Sequence, residues 1–307
     1  MKNSWFANGK LLLTGEYLVM EGAKALAVPI KPGQSLEVRQ TETGLLEWRA
    51  NAPDGLWFET VFKLPALEIV KTTDREMSEQ LRELLQNATR LSGGFLTNDE
   101  GWSVVTNLDF NPQYGFGSSS TLVYCVARWA GVDPFTLQWE TFGGSGYDIA
   151  CADAGKPITY RISEGKPEIR KVDFSPAFKD NLFFVYLGHK QQTAGSIRNF
   201  RKSASFTHKE LEKISAITDN ILKTDYLEDF EALLNEHEKN MSEILGLPTV
   251  KSLYFQKHKG AVKSLGAWGG DFVLVTTKKS RQEFMQQMHH LGFNIIYPFN
   301  DLVLSGK

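Results

Sequence analysis

Cysteine is scarce in this chain: Cys125 and Cys151 are the only two thiols among 307 residues. Two cysteines cannot build a disulfide framework, and neither has a Cys or His nearby at zinc-ligand spacing. Reduced thiols, a cytoplasmic setting and no structural metal are therefore expected. Charge of one sign is not in excess either. With 34 basic and 36 acidic residues the formal net charge is -2, so no nucleic acid and no membrane is expected as a partner, and any anion site must be local. Long apolar runs are missing, which excludes a membrane span, and the run Leu11–Leu13 is interrupted too soon by Gly15 and Glu16 to read as a signal peptide. No Lys followed by Ser or Thr closes a Gly-x4-Gly spacing, and neither His-Arg-Asp nor Asp-Phe-Gly occurs, which excludes the Walker A and protein-kinase patterns. Internal repeats and low-complexity tracts are absent as well.

What is present is an ordinary globular composition of a length that exceeds one comfortable core, so two domains are expected. The first sixty or so residues read mainly as strands, over Lys10–Met20, Ala25–Ile30, Ser35–Arg39 and Leu45–Arg49. Apolar residues at helical spacing from Met77 to Leu91 predict a helix capped by Asp74 and ended by Gly93. A strand over Trp102–Leu108 and a helix from about Ser119 to Trp129 follow, then a hairpin of Ile158–Ile162 with Glu168–Val172. The apolar pattern pauses at Pro176, which predicts domains of 1–176 and 177–307. Beyond it lie a strand over Leu182–Leu187, helices over Thr207–Leu222 and Leu227–Leu245, a strand over Phe272–Thr276, a helix over Arg281–Leu291 and a strand over Phe293–Tyr297. The fold class is α+β.

Five segments could carry chemistry. In Asn111–Thr121, Gly115 and Gly117 allow positive φ and close backbone approach, and Ser118, Ser119 and Ser120 place hydroxyls and N–H groups at a helix N-terminus, where an anion is the natural occupant. In Gly143–Ala150 a glycine-rich turn presents Asp148, a candidate base. Lys10 opens an otherwise apolar strand as a candidate cation beside phosphate oxygens. The stretch Lys263–Asp271 could line phosphates with backbone N–H groups. After the Leu182–Leu187 strand, Gly188 to Thr193 and then Arg198, Arg201 and Lys202 gather cationic and hydroxyl groups suited to an anionic substrate.

The joint order of these segments resembles the GHMP kinases, the small-molecule kinases of galactose, homoserine, mevalonate and phosphomevalonate. Motif one looks like Gly9–Val19, motif two like Pro112–Ser119 and motif three like Lys263–Asp271, so the resemblance spans nearly the whole chain. It implies an α+β, two-domain GHMP kinase architecture, with an N-terminal half resembling ribosomal S5 domain 2 and a ferredoxin-like C-terminal half. It implies ATP and Mg2+ as cofactors, Lys10 and Asp148 as the catalytic pair, and Gly115, Gly117, Ser118, Ser119, Ser120, Gly266, Gly269 and Gly270 around the ATP phosphates. Ser119 and, more weakly, Glu140 would be metal ligands. Glu16, Tyr17, Ser145, His189, Lys190, Thr193 and Arg198 would contact the acceptor, a small-molecule alcohol or phosphate. The Gly-Glu-Tyr of motif one and Gly-Ser-Gly-Tyr-Asp-Ile-Ala look most like phosphomevalonate kinase, with mevalonate kinase second. Homoserine or a sugar is the alternative acceptor, a non-catalytic small-molecule binder the alternative class, and a monomer or homodimer the expected state. Three positions depart from the family pattern: Phe116, where leucine is usual, Ser120, where alanine is usual, and Trp268, where glycine is usual.

Overall fold

The computed structural model describes residues 2–188, 206–266, 268 and 271–306. Two compact units emerge, one of Met1–Gly9, Pro32–Pro112 and Phe116–Asp153, the other of Lys10–Lys31, Gln113–Gly115 and Ala154–Lys307. This division differs from a single cut at 176, and pairing explains why. The long strand β2 (Ala25–Thr41) pairs through Ala25–Ala27 with β7 (Ile158–Ser163), which draws the early residues into the second unit. Gln113–Gly115 joins the same unit because the Tyr114 ring packs on Tyr186 and Phe272, at centroid distances of 4.9 and 5.6 Å.

In the first unit the sheet order is β5 (Glu68–Thr72), β4 (Gly55–Lys63), β3 (Leu45–Ala52), β6 (Gly101–Leu108) and β2. Only β3 and β6 run parallel in that path. The helices α1 (Arg75–Ser92), α2 (Ser118–Ala130), α3 (Pro134–Thr141) and α4 (Tyr147–Ala152) complete it, and the core joins Leu81, Leu84, Leu85 and Ala88 of α1 to Val123, Val126 and Ala127 of α2. Asp74 caps α1 by accepting from the Met77 N–H, and Gly93 ends it at φ 72°, as the sequence predicts. Two expected strands fuse into β2, which runs through Gly33. A side chain there would lie 2.2 Å from the Ala7 carbonyl oxygen, so only glycine admits this crossing. Both thiols are buried, and the Cys125 Sγ points at the Gln34 carbonyl oxygen at 3.7 Å.

The expected strand over Lys10–Met20 is corrected: β1 covers Lys2–Leu12 and the chain then turns, because Gly15 at φ 83° and Tyr17 at φ 59° cannot continue a strand. β4, β5 and α3 are additions to the sequence reading. In the second unit, β7 pairs with β8 (Lys166–Lys171), and a separate four-stranded antiparallel sheet has the order β10 (Val262–Ser264), β11 (Phe272–Thr276), β9 (Leu182–Tyr186), β12 (Ile296–Pro298). Its helices are α5 (His208–Ile221), α6 (Leu227–Leu245), α7 (Val250–Tyr254), α8 (Arg281–His290) and α9 (Phe299–Leu302). With helices after β9, a β10–β11 hairpin and α8 before β12, this is the ferredoxin-like order. No helix among the described residues is long and apolar enough to cross a membrane.

Candidate active site

In the first unit, α2 starts from Gly117 at φ 93°, and no side chain caps it among the described residues. An uncapped N-terminus presents N–H groups and the positive end of the helix dipole, which suit an anion. Ser118 is half-buried and Ser119 exposed in this first turn. Ser120 is buried and its hydroxyl donates to the Gly117 carbonyl at 2.9 Å. Phe116, unexplained in the sequence, fills the core against Phe110, with ring centroids 5.5 Å apart.

The turn Gly143-Gly144-Ser145-Gly146 has positive φ at all three glycines, and Asp148 follows in the first turn of α4, where a carboxylate is favoured. Ser145 is buried, and its Oγ lies 3.5 Å from the Tyr147 nitrogen. Glu140 is paired with the Arg90 guanidinium and its backbone carbonyl takes the Asn87 amide. The described residues contain no group of three His, Cys, Asp or Glu able to hold a metal.

In the second unit, Lys10 is half-buried near the end of β1. The turn after it carries the least expected feature of the molecule. Glu16, expected to touch the acceptor, is 0% exposed. Its carboxylate accepts from Lys263 Nζ at 2.5 Å, and Lys263 is also enclosed. Glu238 Oε1 lies 3.6 Å from the same ammonium and accepts from the Ser264 N–H at 3.1 Å. His237 Nε2 accepts from the Gly15 N–H at 3.0 Å and lies 3.3 Å from Glu16 Oε2. Burial pushes the His237 pKa well below its usual value, and the Lys263 charge adds to this. Burial also raises the Glu16 pKa, against the opposing pull of Lys263.

Burial lifts the Glu238 pKa from 4.5 to about 7, with Lys263 opposing and Glu16 adding. A carboxyl raised in the folded state binds a proton that the unfolded chain releases. Its contribution therefore erodes stability as pH climbs from 4.5 to about 7 and is constant above. Glu238→Gln removes this loss, so its stability relative to the parent should rise by roughly 3 kcal/mol from pH 4.5 to 8. Urea unfolding across that range checks it, and parallel pH curves would refute it.

Two further features of motif three are defined. Trp268 is 6% exposed and its indole N–H donates to the Pro248 carbonyl at 3.0 Å, so its bulk is stowed within the second unit. Asp271 presses its carboxylate on Gly115, where a Cβ would lie 2.0 Å from Oδ2. Gly266 takes φ 69° with open space where a side chain would stand. Tyr17 is half-buried, and its hydroxyl accepts from the Trp268 N–H at 2.8 Å. Gly269, Gly270, His189, Lys190, Thr193 and Arg198 lie outside the described residues. Sequence reasoning missed His237 and Glu238, although a signal existed: both interrupt the apolar stripe of Leu234, Met241 and Ile244 on α6.

No family model matches the sequence and no curated protein matches it. Solved structures do. The Streptococcus pneumoniae phosphomevalonate kinase, in complex with phosphomevalonate and AMPPNP, is 16% identical with a TM-score of 0.70, over 96% of this chain and 99% of that one. The chain has the GHMP kinase fold. Also similar are the Lactococcus lactis galactokinase complexed with galactose, 14% identical with a TM-score of 0.70 over 96% and 92% of the two chains, and the L. major mevalonate kinase in complex with R-mevalonate, 16% identical with a TM-score of 0.67 over 96% and 94%. Acceptors differ among proteins of the GHMP kinase fold, so the fold by itself does not name one.

Proposed function

We propose that the chain is an ATP-dependent small-molecule kinase whose acceptor is phosphomevalonate, with mevalonate second. The observation that carries the reading is the α2 N-terminus, uncapped by any described side chain, preceded by Gly117 and bearing Ser118 and Ser119. Such a terminus suits the triphosphate of ATP. Magnesium fits this donor set through the Ser119 hydroxyl, since Mg2+ keeps waters and phosphate oxygens as ligands and needs no all-protein cage. When bound it would supply charge neutralisation at the phosphates. Asp148 would accept or orient the acceptor's proton, and Lys10 would stabilise the transferring phosphoryl oxygens. The preference for phosphomevalonate is supported by the likeness of the Gly15-Glu16-Tyr17 and Gly144–Ala150 sequences to phosphomevalonate kinase, a likeness of pattern that does not require Glu16 or Tyr17 to touch the acceptor, and His189, Lys190, Thr193 and Arg198 would then meet the acceptor's phosphate. The non-catalytic alternative rests on Trp268 and on the short link from α2 to Asp148, and the indole bond to the Pro248 carbonyl weakens the first of these. Coupled ADP release with Mg-ATP, run over phosphomevalonate, mevalonate, homoserine and galactose, tests the reading. Release is expected with phosphomevalonate, release with another acceptor would reassign the substrate, and release with none would overturn the kinase.

A further inference from the structure

Three contacts converge on the turn Gly15-Glu16-Tyr17, all within the second unit. The Gly15 N–H donates to His237 Nε2, the Glu16 carboxylate holds Lys263 Nζ, and the Tyr17 hydroxyl takes the Trp268 N–H. Lys263 begins motif three in β10 and Trp268 stands five residues on, so two points of motif three are tied to one turn of motif one. We propose that Glu16 and Tyr17 are positioning residues for the phosphate side of the nucleotide, setting motif three in place, and are not acceptor contacts. The inference rests on the kinase reading for the identity of the ligand, while the latch itself stands on geometry.

Several observations favour this. Glu16 is fully enclosed, so its carboxylate touches no ligand arriving from solvent. Tyr17 holds φ 59° and ψ -48°, a conformation strained for a non-glycine residue that persists only where surrounding contacts over-determine it. The bond of its hydroxyl to the Trp268 N–H is one such contact. A tyrosine serving only an acceptor would not need its oxygen committed to a backbone N–H of motif three. Trp268 is held twice, by its backbone N–H on the Tyr17 hydroxyl and by its indole N–H on the Pro248 carbonyl. The bulky residue that breaks the family pattern thereby acts as an anchor. Gly266, at positive φ between the two ties, is the position free to approach phosphate oxygens closely.

The test uses the full chain with Tyr17→Phe, which removes one oxygen, and Glu16→Gln, which keeps the side-chain shape. Three quantities are measured: hydrogen exchange at the Trp268 amide, calorimetric binding of AMPPNP with magnesium, and the KM of the acceptor. Tyr17→Phe should speed Trp268 exchange and weaken the nucleotide about three- to tenfold, the scale of one hydrogen bond, while the acceptor KM stays put. Glu16→Gln should act in the same direction. Unchanged Trp268 exchange, or a raised acceptor KM with nucleotide binding intact, would overturn the proposal. Failure of the parent chain to bind AMPPNP would overturn the kinase reading instead, with the exchange measurement still deciding the latch.

Discussion

Asp148→Asn should lower turnover by about a thousandfold while leaving nucleotide binding intact, because a positioned general base contributes roughly 10²–10⁴ in rate and little to the donor's affinity. Asparagine keeps the shape of the side chain in the first turn of α4, so any stability change can be measured apart from the rate. Rate and stability are thus separable. Single-turnover kinetics, AMPPNP calorimetry and urea unfolding of the same variant distinguish them. Turnover at the parental rate would remove Asp148 from the chemistry and the family-based assignment with it.

The second large effect concerns folding. Lys263→Met should destabilise the protein by about 3–5 kcal/mol near neutral pH, since it strands the Glu16 carboxylate without its counter-charge in an enclosed site. The loss should shrink as pH falls, because burial raises the Glu16 pKa and a protonated Glu16 buries no charge. Adding Glu16→Gln to Lys263→Met should recover much of the stability. Removing both charges of a buried pair costs far less than removing one. Denaturant unfolding of the two singles and the double at two pH values gives the coupling directly. Independent, additive losses would show that the pair is not energetically linked.

The parts of this molecule that were legible in the sequence are those written locally. Asp74 and Gly93 announce the ends of α1, and Thr207 begins α5 through a capping box with Glu210, because caps use neighbouring residues. The serine run and the Asp148 turn were legible for the same reason. The Glu16–Lys263 pair spans 247 positions and the Gly15–His237 bond 222. No periodicity relates residues at such separations. The division into units was hidden likewise, since it depends on three residues of β2 meeting β7. Phe116 and Ser120 looked like departures from a motif, yet each satisfies a packing or hydrogen-bonding need inside the first unit. Glu140 offered the right charge for a metal, and only the structure shows Arg90 holding it.

The two enclosed thiols have a practical consequence. Burial pushes the Cys125 thiol up to about 12, and Cys151 is equally shut from solvent. A thiolate is the reactive form, so neither should compete for maleimide reagents in the native state. One cysteine introduced on an exposed position would then carry a dye alone, with no need to delete the native pair. The wild-type background is ready for single-site fluorescence labelling.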